Sequence, residues 1–144
     1  YMISDYIVAV TLAESDIAQQ VSDKWIASGD ELKMSAGWHC YCWLIGNRKD
    51  EEFSMGKLED MLEFVKQHIH KVPPRTQVAM NNFVTTVGVS YKPLHEKALQ
   101  IAKDIGPVKT KGKGGKSGIL HAYAEILKQV EKGRIGFKRK YVRC

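Results

Sequence analysis

The sequence predicts an all-α fold, an α-α superhelix of stacked helical pairs. Three observations predict it. Apolar residues recur at three- and four-residue spacing along most of the chain. Gly and Pro interrupt those stretches at about helix length. No segment sustains the alternation of a strand between turn signals.

In chain order, Ser15 is the expected N-cap of a helix that carries Ile17, Val21 and Trp25 at four-residue spacing. Gly29 ends it and Asp30 caps the next, which carries Leu32, Ala36, Trp43 and Leu44 and stops near Gly46 and Asn47. Arg48 to Glu52 is a polar loop. Ser54 opens a third helix with Leu58, Met61, Leu62, Val65 and Ile69 on one face, and Val72-Pro73-Pro74 breaks it. A helix from Arg75 to Tyr91 has Val78, Met80, Phe83, Val84 and Val87 as its apolar face. Pro93 suits the first turn of the next, which carries Leu94, Ala98, Ile101 and Ile105 and closes at Gly106-Pro107. Lys109 to Gly118, built of Lys, Gly, Thr and Ser, is expected to stay an unpacked loop. A last helix is expected over Ile119 to Lys132, with Gly133 ending it. Stacked pairs of this kind form HEAT-like repeats of about 40 residues, which often diverge too far to show a strict repeat. Residues 1–108 are thus the expected helical repeats, and residues 109–144 a basic loop, last helix and basic tail of the same domain.

A chain of 144 residues fits one domain and buries a core without staples. No run approaches the roughly 18 apolar residues of a membrane span. Tyr1 to Tyr6 lacks a basic n-region and contains Asp5, so no signal peptide is expected. The start at Tyr1 reads as a trimmed chain with more protein upstream. Three cysteines, an odd number, point to a reducing, cytoplasmic compartment. Cys40 and Cys42 lie two apart, so on a helix they point about 200° apart and cannot share one ion. They read better as buried small hydrophobes, and neither metal nor cofactor is expected.

The net charge of +6 is unevenly spread. Residues 1–105 hold 11 Lys/Arg against 14 Asp/Glu, and residues 106–144 hold 11 against 2. A compact basic third attracts a polyanion, nucleic acid being the commonest, although such a tail can also serve only solubility. The candidate phosphate contacts are Lys111, Lys113 and Lys116 in the Gly/Lys run and Arg134, Lys138, Arg139, Lys140 and Arg143 in the tail. Cations there would neutralise backbone phosphates of duplex DNA. Phe137 and Tyr141 lie among them: an aromatic there stacks on an exposed base, or Ile135, Phe137 and Val142 anchor the tail to the domain. The run ending Gly115-Lys116-Ser117 lacks the opening glycine of a nucleotide phosphate loop, because position 110 is Thr110.

Trp25, Trp38 and Trp43 lie close together. Trp25 and Trp43 fall on apolar stripes and are expected in the core; Trp38 is expected to be the partly exposed one and a candidate base contact. Asn81-Asn82 interrupts an apolar helix. Such residues form a buried inter-helix hydrogen bond or touch a ligand. His39, His68, His70, His95 and His121 do not cluster at ligand spacing, and Glu51-Glu52 and Glu59-Asp60 read as solvated faces.

Several of these stretches together resemble the DNA alkylation repair family of HEAT-like repeat proteins. They are Ser35-Ala-Gly-Trp-His39, Ile69-His70 before Val72-Pro-Pro74, and Val78-Ala-Met-Asn-Asn-Phe-Val84 with Val87-Gly88. Lys92-Pro93-Leu94, Ala102-Lys-Asp-Ile-Gly106, Val130-Glu-Lys-Gly-Arg-Ile-Gly136, Lys138-Arg-Lys140 and Arg143-Cys144 continue it. The resemblance implies an α-solenoid whose concave basic face holds duplex DNA. In active members, tryptophans and an aspartate contact a cationic alkylated nucleotide and help its N-glycosidic bond break. Here Ser35 stands where active members have Arg, and Asn82 stands near the place of a helix tryptophan. The Lys/Gly run 109–118 replaces a segment with acidic residues, Cys and Pro, and the upstream Trp-and-Asp helix is not recognisable. The expected function is DNA binding, with or without glycosylase activity. The alternative is a helical scaffold that binds a protein partner.

Overall fold

The computed structural model describes residues 3–111 and 117–140. A π-helical turn, Ile3–Val8, leads into α1, Ala9–Ala13. Then come α2 (Ala18–Ile26), α3 (Glu31–Asn47), α4 (Met55–His68), α5 (Pro74–Ser90) and α6 (His95–Ile105). Short 3-10 turns at Asp50–Glu52 and Lys92–Leu94 join α3 to α4 and α5 to α6. A two-stranded antiparallel hairpin, β1 (Val108–Lys111) and β2 (Ser117–Leu120), precedes α7 (Ala122–Glu131). The chain is all-α in class, with this hairpin its sheet among the described residues.

The helix starts follow the capping chemistry of the sequence. Asp30 accepts from the Lys33 amide at 3.0 Å and opens α3, and Ser54 accepts from the Lys57 amide at 3.3 Å and opens α4. Pro74 occupies the first turn of α5. Ser15 does not cap α2 as expected: its hydroxyl accepts from the Ile17 amide at 3.3 Å in the preceding turn, and the helix begins at Ala18.

α3 and α5 form the centre. α3 packs against α5, α2, α1 and the N-terminal turn; α5 packs also against α6 and α7. Burial on nearly every side explains their mostly apolar or small residues. Gly37 is needed where α3 meets α2, because a Cβ there would stand 2.9 Å from the Ser22 carbonyl oxygen. One core holds Trp38, Tyr41, Leu44, Ile45, Leu62, Phe83 and Val87 together with Val108, Ala122 and Ile126 of the C-terminal third. Arg48 fastens α1 to the end of α3, its guanidinium donating to the carbonyls of Ala13 at 3.0 Å and Ser15 at 3.2 Å.

The hairpin corrects two expectations. Lys109 to Gly118 does not form a loop throughout, and the last helix does not begin at Ile119. Val108 is fully buried against the core and pairs across the hairpin with Leu120, which is half-buried. This anchoring makes strands of residues too few to show a period of two. α7 instead opens at His121, whose Nδ1 accepts from the Ala124 amide at 3.2 Å.

Candidate nucleic-acid interface

A cleft of about 540 Å³ opens between the N-terminal turn, α3, α5, α7 and the segment after α7. Its wall carries a chain of polar contacts. The Ser35 hydroxyl donates to Asp5 Oδ1 at 2.6 Å. His39 Nδ1 lies 3.0 Å from the Ser35 carbonyl, and its Nε2 lies 3.4 Å from the Asn82 amide nitrogen. A neutral ring with its proton on Nδ1 satisfies both: Nδ1–H donates to the carbonyl and Nε2 accepts from Asn82. Asp5 Oδ1 stands 3.9 Å from Nδ1.

Burial lowers the His39 pKa below the ordinary 6.5, against the opposing pull of Asp5 and of the Ser35 carbonyl. The unfolded chain therefore takes up this proton more readily than the folded one. The stability this group contributes is complete above about pH 6.5 and is lost as the pH falls through the lowered folded value. The melting temperature is expected to drop over that range, and His39→Gln to flatten the drop. Equal pH dependence in the variant would remove His39 as its source.

Aromatic and cationic groups form the other wall. Trp43 meets Tyr6 edge-on at 5.5 Å between ring centroids, and the Arg139 guanidinium lies 5.1 Å from the Trp43 ring centre. Arg134, Phe137 and Arg139 complete the rim. They belong to a strap, residues 134–140, laid across the C-terminal ends of α3 and α5. Helix ends leave carbonyls without partners in the helix, and these favour positive charge. The strap supplies both donors and cations. The Gly136 amide donates to the Val89 carbonyl at 2.6 Å, and the Arg139 amide to the Gly46 carbonyl at 2.7 Å. The Asn47 amide nitrogen donates to the Arg139 carbonyl at 2.9 Å. Gly136 turns the chain at φ +84°, a conformation other residues rarely adopt.

The structure separates the candidate residues. Arg134, Arg139 and Lys140 are exposed on the strap. The Lys138 side chain is only 23% exposed; its ammonium donates to the Ile45 carbonyl at 2.6 Å and pairs with Asp50 at 2.8 Å. It serves the ends of α3 and the following turn. Lys113, Lys116 and Arg143, and the side chain of Lys111, lie outside the described residues, as do Tyr141 and Val142. Trp38 is a correction. It is 1% exposed, edge-on to Phe83 at 4.9 Å and stacked near Phe64 at 6.1 Å, because α3 is buried on both flanks. Trp43 is the half-buried tryptophan that reaches the cleft. Asn81 is buried, and its carbonyl accepts from the Thr85 hydroxyl at 3.0 Å. Asn82 is exposed and lines the cleft.

Asp5, Tyr6 and Gln129 are lining residues that the sequence did not offer as site candidates, and His39 was named only within a family motif and as an unclustered histidine. Asp5 carried the one available signal, as the lone carboxylate in an apolar opening stretch. Burial raises the Cys40 thiol to about 11 and the Cys42 thiol to about 12, so both stay protonated. Among the described residues, no three His, Cys, Asp or Glu side chains are grouped to hold a metal ion, and no helix is long and apolar enough to cross a membrane.

The family model for the DNA alkylation repair enzyme matches residues 2–111, most of the chain and every element from the turn to β1. The chain belongs to the DNA alkylation repair enzyme family. A solved structure of another protein, 65% identical, superposes with a TM-score of 0.96 and covers all of this chain. That protein is described as one of a new family related to the HEAT-like repeat DNA glycosylases with affinity for branched DNA structures. An uncharacterized protein of Listeria innocua is 33% identical over 101 residues, 70% of this chain. One of Listeria monocytogenes is 32% identical over the same length. The match spans 42% of each Listeria protein, and this chain covers 61% of the solved chain. The HEAT-like repeat fold of this family member is therefore established by a close relative as well as by its own helices.

Proposed function

We propose that this chain binds DNA through the cleft rim and prefers branched DNA to an intact duplex, without efficient excision of alkylated bases. The observation that carries the reading is the rim itself: exposed Arg134 and Arg139 beside the aromatic groups of the cleft. Guanidinium groups neutralise phosphates and release counterions, which gives affinity without sequence choice. Lys140 on the same strap adds to this charge. The affinity for branched DNA described for the 65% identical protein agrees with this partner.

Weak excision follows from how the catalytic chemistry is filled. Release of a cationic alkylpurine needs an aromatic face for the base and a carboxylate for the developing oxocarbenium ion. In this cleft Asp5 is engaged by Ser35, and Arg139 already lies over Trp43. A second cation there would meet like charge. Asn82 is turned to His39 and offers no aromatic surface.

Fluorescence anisotropy at several salt concentrations tests the reading with three labelled DNAs: a four-way junction, a plain duplex and a duplex holding 7-methylguanine. Tightest binding to the junction, a steep salt slope and no released 7-methylguanine are expected. Preference for the methylated duplex with base release would establish excision instead. No binding to any DNA at low salt would sink the reading and leave the scaffold that binds a protein partner.

A further inference from the structure

We infer that Phe137 is a stacking platform for one unstacked base at a DNA branch, with Arg134 and Arg139 holding the phosphates beside it. The inference rests on the DNA-binding reading above. It adds the feature by which the cleft would tell a branch from an intact duplex.

Phe137 is 57% exposed although it belongs to a segment fastened at several points. An exposed aromatic ring is ordinary in a loose tail, but this one is presented by a held backbone. Its own amide donates to the Arg134 carbonyl at 3.1 Å, and the Gly136 and Arg139 amides on either side are bonded to the ends of α5 and α3. The ring is thus pre-positioned, so little chain freedom is lost when something stacks on it. Its sequence neighbours are exposed cations, Arg134 and Arg139, and all three line the same cleft. An aromatic ring with cations before and after it in the chain, all in one cleft, suits a nucleotide strand, where phosphates flank each base. Tyr6, 44% exposed, adds a second aromatic surface in the same cleft.

The charge pattern also selects the occupant. An apolar peptide would bury the ring but gain nothing from the two guanidiniums. In an intact duplex every base face is covered by its neighbours, so the ring finds no partner and only phosphate contacts remain. At a branch whose arms are not stacked on one another, bases at the crossing lose a stacking neighbour and expose a face. Phe137 therefore contributes to branched and single-stranded DNA and not to duplex.

The test compares Phe137→Ala, Phe137→Leu and Phe137→Trp with wild type on a four-way junction, a single strand and a duplex. Phe137→Ala is expected to weaken junction and single-strand binding by about 5- to 100-fold, the loss typical of one base–aromatic stack. Duplex affinity stays within about twofold, and the salt slope is unchanged because no charge is removed. Phe137→Leu, apolar without a π face, behaves like the alanine variant; Phe137→Trp binds as well as wild type or better. Junction binding by Phe137→Ala equal to wild type would overturn the inference, as would full binding by Phe137→Leu. Both results leave phosphate-driven DNA binding standing. Absence of any wild-type binding would instead remove both.

Discussion

Trp38→Ala lowers the unfolding free energy by about 3–5 kcal/mol, the usual loss for a large aromatic truncated in a packed core. The indole is 1% exposed and meets Phe83 of α5 and Phe64 of α4, so its removal leaves a cavity beside a fully buried ring. Such a loss is a large share of the 5–15 kcal/mol, roughly, that holds a domain together. Urea unfolding measures it. Among the described residues the buried indole nitrogen has no hydrogen-bond partner, so Trp38→Phe gives up volume but no hydrogen bond there and costs less. Trp38→Phe is also expected to bind DNA as wild type does. An alanine variant as stable as wild type, or a phenylalanine variant with impaired binding, would return Trp38 to the candidate contacts.

The second large effect is electrostatic. Replacing Arg134, Arg139 and Lys140 together by Gln lowers DNA affinity on the order of 100-fold at low salt. The slope of log affinity against log salt becomes shallower by about 0.9 for each phosphate that is no longer neutralised. The melting temperature should fall modestly, since the side chains are exposed but Arg139 gives up its contact with the Trp43 ring. Lys138 behaves differently. Lys138→Met leaves the Asp50 carboxylate and the Ile45 carbonyl without their cation, so it acts on stability rather than on the salt slope. A triple variant with unchanged affinity and slope would take the strap out of the interface.

The contrast between Lys138 and Arg139 shows what a sequence can and cannot tell. Neighbouring cations in a basic run look alike until the run is laid against helix ends. Which cation is then spent on a carbonyl depends on where α3 stops. The helices themselves were legible because their signals are local: Asp30 and Ser54 at starts, Pro73-Pro74 at a break, apolar spacing between. Trp38 departs from its expected exposure because one apolar stripe assumes one buried face, and α3 is covered on opposite sides by α2 and α5. The hairpin hid for a related reason, since its strands are held by Val108 in the core rather than by a pattern of their own. Ser35 and His39 share a helix face by their four-residue spacing, but no spacing rule could have brought Asp5 and Asn82 to them. Membership of the DNA alkylation repair family was legible in the order of its short motifs, whereas the filling of its cleft was not.

The strap also bears on how the molecule comes into being. Its bonds to Ile45 and Asn47 join residues 93 and 92 positions apart. Contacts at such separation close long loops and become favourable only when the intervening elements are already packed. The rim of the cleft is thus expected to be among the last parts of the molecule to form. If the cleft holds DNA as proposed, that competence would arrive late in folding, and a chain whose helices have not yet docked would present its cations without the cleft.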